Sequence, residues 1–241
     1  MTPPFVRFGF LVPPGNPTAE DELIALSRGV RGVGVHFARM AAPAEPRHTL
    51  EERNRLHIEQ LPETVRHLAM VKPKVIVLAH TVMSYMMGKA GEAELAARLQ
   101  RDTGVPFVTA FGSILAALRH LGVSRIALCT PYSAASTAAG KAHYEAHGIE
   151  VASAGHLEGV KDVYATTADD AYALARRVDS PASQAIVLSG TGMPVLGAIE
   201  RLERDLGKPV IGATAAIMWH ALRICATGGP IGGFGGLLAR R

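Results

Sequence analysis

The chain has 241 residues and a net charge of +4, and 48% of its residues are hydrophobic and 19% charged. This length suffices to bury a large core without a metal or disulfides, so we expect a globular cytoplasmic protein with no membrane-spanning segment. The 25 basic residues are scattered and aromatic residues make up only 5%, which argues against a nucleic-acid partner.

Short apolar runs alternate with segments of helical periodicity along the first half of the chain. The runs predicted to be strands span residues 8–12, 33–40, 75–79 and 106–110. The segments predicted to be helices span residues 19–26, 53–71, 92–103 and 114–121. Alternation of strands and helices predicts a parallel sheet covered on both faces.

The second half repeats this order, with a strand at 125–129 and a helix at 134–147. AIVLS (185–189) echoes VIVLA (75–79), and GKPVIGATAAIMWHALR (207–223) aligns with GVPFVTAFGSILAALR with one inserted residue. These repeats predict an α/β fold of two pseudo-twofold-related lobes, each a doubly wound parallel sheet, with the active site between them.

The predicted lobes divide the chain at two points. Lobe 1 spans residues 1–119 and is completed by a C-terminal helix at 213–241, and lobe 2 spans residues 120–212. The glycine-rich stretch GGPIGGFGG at 228–236 lacks phosphate-loop spacing and is predicted to be a flexible tail.

Four polar loops follow predicted strands: PPGN (13–16), HTV (80–82), TPYS (130–133) and GTGM (190–193). Ligands of open parallel sheets bind beyond the carboxyl ends of the strands, and a twofold would bring all four loops together. Free backbone N–H groups, hydroxyls and helix dipoles bind carboxylates, and they would also stabilise an enediolate. The loops therefore predict a site for a small carboxylate.

Four stretches resemble the Asp/Glu racemase superfamily, in particular its arylmalonate decarboxylase and maleate isomerase branch. They are LVPPGNPTAEDEL (11–23), VIVLAHTVMSY (75–85), RIALCTPYS (125–133) and IVLSGTGMPVLGAIERLERDLGKPVI (186–211). The resemblance covers nearly the whole chain. It implies two lobes that clamp a small dicarboxylate or amino acid without a cofactor.

Racemases of this superfamily keep one cysteine per lobe, and the matching positions here are His80 and Gly190. Cys129 lies inside a predicted strand and Cys225 in the last predicted helix, so both are interpreted as core residues. The chain therefore cannot act as a two-thiol racemase. The resemblance implies that carboxylate binding is kept while the proton donor has changed.

The resemblance assigns binding roles to residues of three of these loops, and apolar members are predicted to desolvate the leaving carboxylate. The predicted substrate-binding residues are Pro14, Asn16, Thr81, Val82, Gly190, Thr191, Gly192 and Met193. Structural interpretations remain open for three of them: Asn16 could shape a turn, and Thr81 and Thr191 could cap helices.

His80 and Tyr132 are the predicted catalytic residues. Imidazole titrates near neutral pH and can exchange a proton with a carbanion, whereas the Tyr132 phenol matches a family residue that donates to the substrate carboxylate. His80 could equally be a structural histidine at a strand end, and Tyr132 could simply pack there. The other histidines, including His57, are interpreted as surface or core residues, although His156 falls in a loop resembling a segment that covers the pocket.

The function predicted is a cofactor-independent lyase that acts on a small carboxylate through an enediolate-type intermediate, with His80 as proton donor. An isomerase or hydrolase of small carboxylates that uses His80 as a base is the first alternative. The second is a non-catalytic, carboxylate-binding pseudoenzyme. The sequence leaves the oligomeric state open, and a homo-oligomer is one possibility.

Overall fold

The computed structural model describes residues 5–42, 49–158 and 163–240. The strands are β1 (Val6–Val12), β2 (Val33–Arg39), β3 (Val75–Leu78), β4 (Phe107–Thr109), β5 (Arg125–Thr130), β6 (Glu150–His156), β7 (Ala185–Leu188) and β8 (Val210–Gly212). The helices are α1 (Ala19–Arg28), α2 (Leu50–Ala69), α3 (Thr81–Thr103), α4 (Ala110–His120), α5 (Ala134–Ala146), α6 (Ala168–Val178), α7 (Leu196–Leu206), α8 (Ala213–Ile224) and α9 (Gly236–Ala239). Among these helices, none combines the length and apolar character needed to cross a membrane.

Two sheets with the same strand order form the centre of the described structure. The first has the order β2-β1-β3-β4 and the second β6-β5-β7-β8, and every pairing is parallel. The inner strands β3 and β7 are buried along their whole length, because helices cover both faces of each sheet. The predicted α/β fold of two related lobes is confirmed.

Helix α3 begins earlier than the sequence predicts. The prediction started at residue 92, whereas the helix begins at Thr81, directly after His80, and is kinked at Gly88, whose φ is 68°. The first turn is buried on several sides, so its residues show no amphipathic period. A helix N-terminus therefore points into the region of the predicted site.

Two elements of the second lobe were missed by the sequence prediction. Strand β6 is only partly buried, and its apolar alternation is weak. Helix α6 did carry a signal, a capping box in which Thr167 and Asp170 bond each other's backbone. His156 is the last residue of β6 and does not lie in a loop.

The C-terminal segment differs from both predictions made for it. Helix α8 ends at Ile224 and packs against α1 and α4, so no single helix spans 213–241. The glycine-rich stretch is anchored rather than free, because Ile231 is buried and its N–H donates to the Leu238 carbonyl at 3.0 Å. Glycine content alone indicated a flexible tail, but the apolar side chains between the glycines reach the core.

Candidate active site

A cavity of about 500 Å³ lies between the two lobes, beyond the carboxyl ends of β1, β3, β5 and β7. It is lined by Pro13, Pro14, Gly15, Asn16, Pro17, Ala42, Arg53, Asn54, His57, His80, Tyr132, Thr191 and Gly192. All four polar loops singled out in the sequence reach this cavity or the wall directly behind it.

Asn16 joins the two lobes at the cavity wall. Its side-chain oxygen accepts from the Thr18 and Ala19 backbone N–H groups at 2.9 Å each, which caps the start of α1. Its Nδ2 donates to the Thr191 hydroxyl at 3.0 Å, and that hydroxyl donates to the Ala79 carbonyl at 2.8 Å. An amide nitrogen has two hydrogens, so one remains for a ligand in the cavity. The turn-shaping and ligand-binding interpretations of Asn16 are therefore compatible.

His80 occupies the junction between β3 and α3. The residue is 9% exposed, and its Nδ1 is buried without a hydrogen-bond partner. Burial, together with the nearby His57 and Arg53, lowers the pKa of His80 to about 3. The ring is therefore neutral at physiological pH.

Tyr132 faces the N-terminus of α3 from the second lobe. Burial raises its pKa, whereas the Thr81 hydroxyl and the Val82 backbone N–H act in the opposite direction. Thr81 Oγ1 makes no hydrogen bond of good geometry, so its effect on Tyr132 is that of a close polar neighbour. A phenol with a raised pKa stays protonated and can donate a hydrogen bond to an anion.

One face of α2 contributes a group of polar residues that the sequence prediction missed: Arg53, Asn54 and His57. His57 is 5% exposed, and the prediction counted it among surface or core histidines. Both of its ring nitrogens lack hydrogen-bond partners, as does Oδ1 of the buried Asn54. The i, i+4 spacing of Arg53 and His57 was a usable signal, but nothing in the sequence indicated that this face turns toward the loops.

Four predicted binding residues lie behind the cavity wall and do not line it: Thr81, Val82, Gly190 and Met193. The Val82 and Met193 side chains belong to the hydrophobic core, with 4% and 0% exposure. They therefore do not face a leaving carboxylate from the cavity surface. Val82 instead presents its backbone N–H toward Tyr132.

Neither cysteine lines the cavity. Cys129 is fully buried in β5, and this burial raises the pKa of its thiol. Cys225 follows the last residue of α8 and is partly exposed. Cys129 is therefore a core residue as predicted, whereas Cys225 lies just after α8 rather than within it and packs against the core while partly exposed.

We expect Gly190→Ala to destabilise the protein by about 1–3 kcal/mol. Gly190 has a φ of 135°, and an added Cβ would lie 2.6 Å from Pro131 Cδ and 3.1 Å from the Tyr132 hydroxyl. Urea unfolding would measure the loss. Gly192→Ala is the matched control, because a Cβ there meets its nearest atoms at 3.9 Å. Equal unfolding free energies for the two variants would contradict the strain expected from a side chain at residue 190.

The fold and the cavity define a class of two-lobed α/β proteins with a polar site between related halves. Within that class, the chain belongs to the arylmalonate decarboxylase family, which it matches over residues 49–238. The resemblance inferred from the sequence is confirmed.

The relatives include both decarboxylases and isomerases. The chain is 32% identical to the arylmalonate decarboxylase of Bordetella bronchiseptica, over 71% of this chain and 73% of the relative. It is 30% identical to a maleate isomerase of Nocardia farcinica, over 90% of this chain and 89% of the relative. A structure of Nocardia farcinica maleate cis-trans isomerase with a covalently bound succinylcysteine intermediate has a TM-score of 0.88 and 26% identity, over 98% and 99% of the two chains.

Proposed function

We propose that this protein is a cofactor-independent lyase that decarboxylates a small dicarboxylate at an activated α-carbon. The observation that carries the proposal is a cavity bordered by the buried imidazoles of His80 and His57, with no thiol among its described lining residues. Decarboxylation requires stabilisation of an enediolate and a single proton donor, and this donor set meets that requirement.

The proposed reaction assigns each polar group a role. The N-terminus of α3, the Tyr132 hydroxyl and the free hydrogen of Asn16 Nδ2 would hold the retained carboxylate. When the bond to the leaving carboxylate breaks, its electron pair moves into the enediolate and CO2 departs. These same donors stabilise the new negative charge, and His80 then donates a proton to the carbon.

The absence of a cavity thiol weighs against isomerisation through a covalent adduct. The Nocardia farcinica relative holds its succinyl intermediate on a cysteine. In this chain the two cysteines lie in β5 and after α8, away from the described cavity lining. An adduct of that kind has no nucleophile here.

An isomerase or hydrolase that uses His80 as a general base is the second candidate. The observation that favours it is the position of His80 at the cavity with a buried Nδ1 that has no hydrogen-bond partner, because such a nitrogen can accept a proton. This candidate requires no covalent adduct. It differs from the lyase in its products.

Product analysis by NMR separates these functions. The protein would be incubated with carboxyl-¹³C-labelled phenylmalonate and malonate, and with maleate. Labelled CO2 and a monocarboxylate support the lyase, whereas fumarate or a hydration product without CO2 supports the second candidate. Saturable binding with no product from any compound would overturn both and indicate a carboxylate-binding protein.

A further inference from the structure

Two neighbouring imidazoles line the cavity, His80 from one of the predicted loops and His57 from α2. The rings of His57 and His80 lie edge to face, with centroids 5.8 Å apart and an interplanar angle of 64°. His80 Nδ1 and both nitrogens of His57 are buried and unpartnered. The Ala41 backbone lies close enough to act on His57 but makes no hydrogen bond of good geometry with it. Buried polar atoms in a folded protein are nearly always bonded, so these three nitrogens leave room for a further partner at the cavity.

The charges around this pair are unbalanced. Arg53, one turn before His57 on α2, lines the same cavity and forms no ion pair among the described residues. On the β1 side, Arg39 pairs with Glu20 at 3.0 Å and donates to the Pro14 carbonyl. Tyr132 faces the cavity from the second lobe, and no carboxylate is among the described lining residues. Among the described residues of the site, Arg53 is therefore an exposed cation without an acidic partner beside two neutral rings.

The same surroundings determine the protonation of the pair. Burial lowers the pKa of both histidines, Arg53 adds repulsion to each, and the Ala41 backbone acts in the opposite direction on His57. A neutral imidazole is a very weak acid, so His80 must gain a proton before it can donate one. An anion placed between Arg53 and the rings would favour the charged form of the pair.

We infer that His57 is a positioning residue that relays the catalytic proton to His80. Binding of a dicarboxylate beside Arg53 draws one proton onto the His57–His80 pair. His57 then passes this proton to His80. Only the last step, the transfer of the proton from His80 to the carbanion, rests on the proposed function. The ring centroids are 5.8 Å apart and neither nitrogen of His57 is hydrogen-bonded to His80, so the transfer requires a bridging water or the bound carboxylate. Adjacent imidazoles repel each other when both are charged, so one proton per site is expected.

The relay supplies the one proton that each decarboxylation consumes. A dicarboxylate dianion plus one proton gives CO2 and a monocarboxylate anion, so each turnover consumes one proton. That proton enters on binding, stays on the imidazole pair while the carbon–carbon bond breaks, and is transferred to the carbanion. Release of the monoanionic product leaves the pair neutral again.

Isothermal titration calorimetry with malonate tests the relay directly. Titrations at one pH near neutrality, in two zwitterionic buffers of different ionisation enthalpy, give the number of protons taken up on binding. The expected value is about one for the wild type. His57→Asn is expected to lose most of this uptake and to bind malonate more weakly.

His67→Asn is the matched control, because His67 lies on the same helix and is exposed. It should leave proton uptake unchanged. Buffer-independent enthalpies for the wild type, equal uptake in His57→Asn, or no malonate binding would each overturn the inference. A thermal unfolding scan confirms that each variant is folded, and His57→Gln gives a second test if the asparagine variant is not.

Failure of the relay and failure of the lyase proposal give different results. Proton uptake with malonate but no CO2 from labelled phenylmalonate would leave the relay standing and remove the lyase. CO2 release with no proton uptake would leave the lyase proposal standing and remove the relay. The pH dependence of kcat/KM should also shift in His57→Asn, which a purely structural role would not produce.

Discussion

His80→Asn is expected to lower carboxylate turnover by about 10²–10⁴-fold, the usual contribution of a positioned general acid or base. Asparagine is a favoured helix N-cap, so the start of α3 should be preserved at the position that His80 occupies. The side chain loses the ring that can donate a proton to the carbanion. The rate of labelled CO2 release measures the effect.

The control for His80→Asn is again His67→Asn, measured with the same substrate. If both variants turned over at the wild-type rate, the proton donor would lie elsewhere, and Tyr132 would be the next candidate to substitute. Malonate affinity should be reduced far less than turnover, because the carboxylate-binding groups remain. A parallel loss of binding and rate would contradict the assigned role.

The same variant should also change the acid stability of the protein. The pKa of His80 falls from its usual 6.5 to about 3 on folding, so the unfolded chain binds a proton more readily in the interval between these values. The unfolding free energy contributed by His80 is therefore complete above pH 6.5 and is lost as the pH falls toward 3. His80→Asn should lack this loss, and urea unfolding over a pH series would measure the difference.

Glu22→Ala is expected to lower the unfolding free energy by about 3 kcal/mol, through buried donors that lose their acceptor. The Glu22 carboxylate accepts from the Val195 and Leu196 backbone N–H groups at 2.6 and 2.9 Å, and also from the Thr214 hydroxyl. Helix α7 has no side-chain cap at its own N-cap residue, so α1 of the first lobe caps a helix of the second. Loss of this carboxylate loosens the contact between the lobes.

Asp21→Ala is the matched control for Glu22→Ala, because Asp21 is exposed in the same turn of α1. Its effect should be within about 1 kcal/mol, the size of a surface helix-dipole interaction. Urea unfolding of both variants gives the comparison. A Glu22→Ala loss no larger than that of Asp21→Ala would show that the interlobe cap contributes little.

Much of the fold could be read from the sequence because strands buried on both faces leave a continuous apolar signal. The runs VIVL and AIVL of β3 and β7 are such strands, and the loops that follow them were placed correctly beside the cavity. Strand β6, near the sheet edge and only half-buried, carried no comparable signal.

The candidate site was predictable only in part because helices turn side chains in all directions. Thr81, Val82 and Met193 follow the right strands, but in the structure they face the core, and a loop position alone does not fix that direction. The sequence also did not predict that the α2 face carrying Arg53 and His57 borders the cavity. Its residues lie far along the chain from every predicted loop, and they reach the cavity because α2 packs against β1, β2 and α3.

The sequence by itself determined that the chain is two repeated lobes, that four polar loops follow their strands, and that none of these loops contains a cysteine. These properties follow from local pattern and residue identity. Only the tertiary structure decided that His80 is buried beside His57, that Arg53 lies near both with no acidic partner in the described part of the chain, and that Gly190 has no room for a side chain. Burial, pairing and free volume depend on distant segments packed together, and these quantities control the protonation of the site.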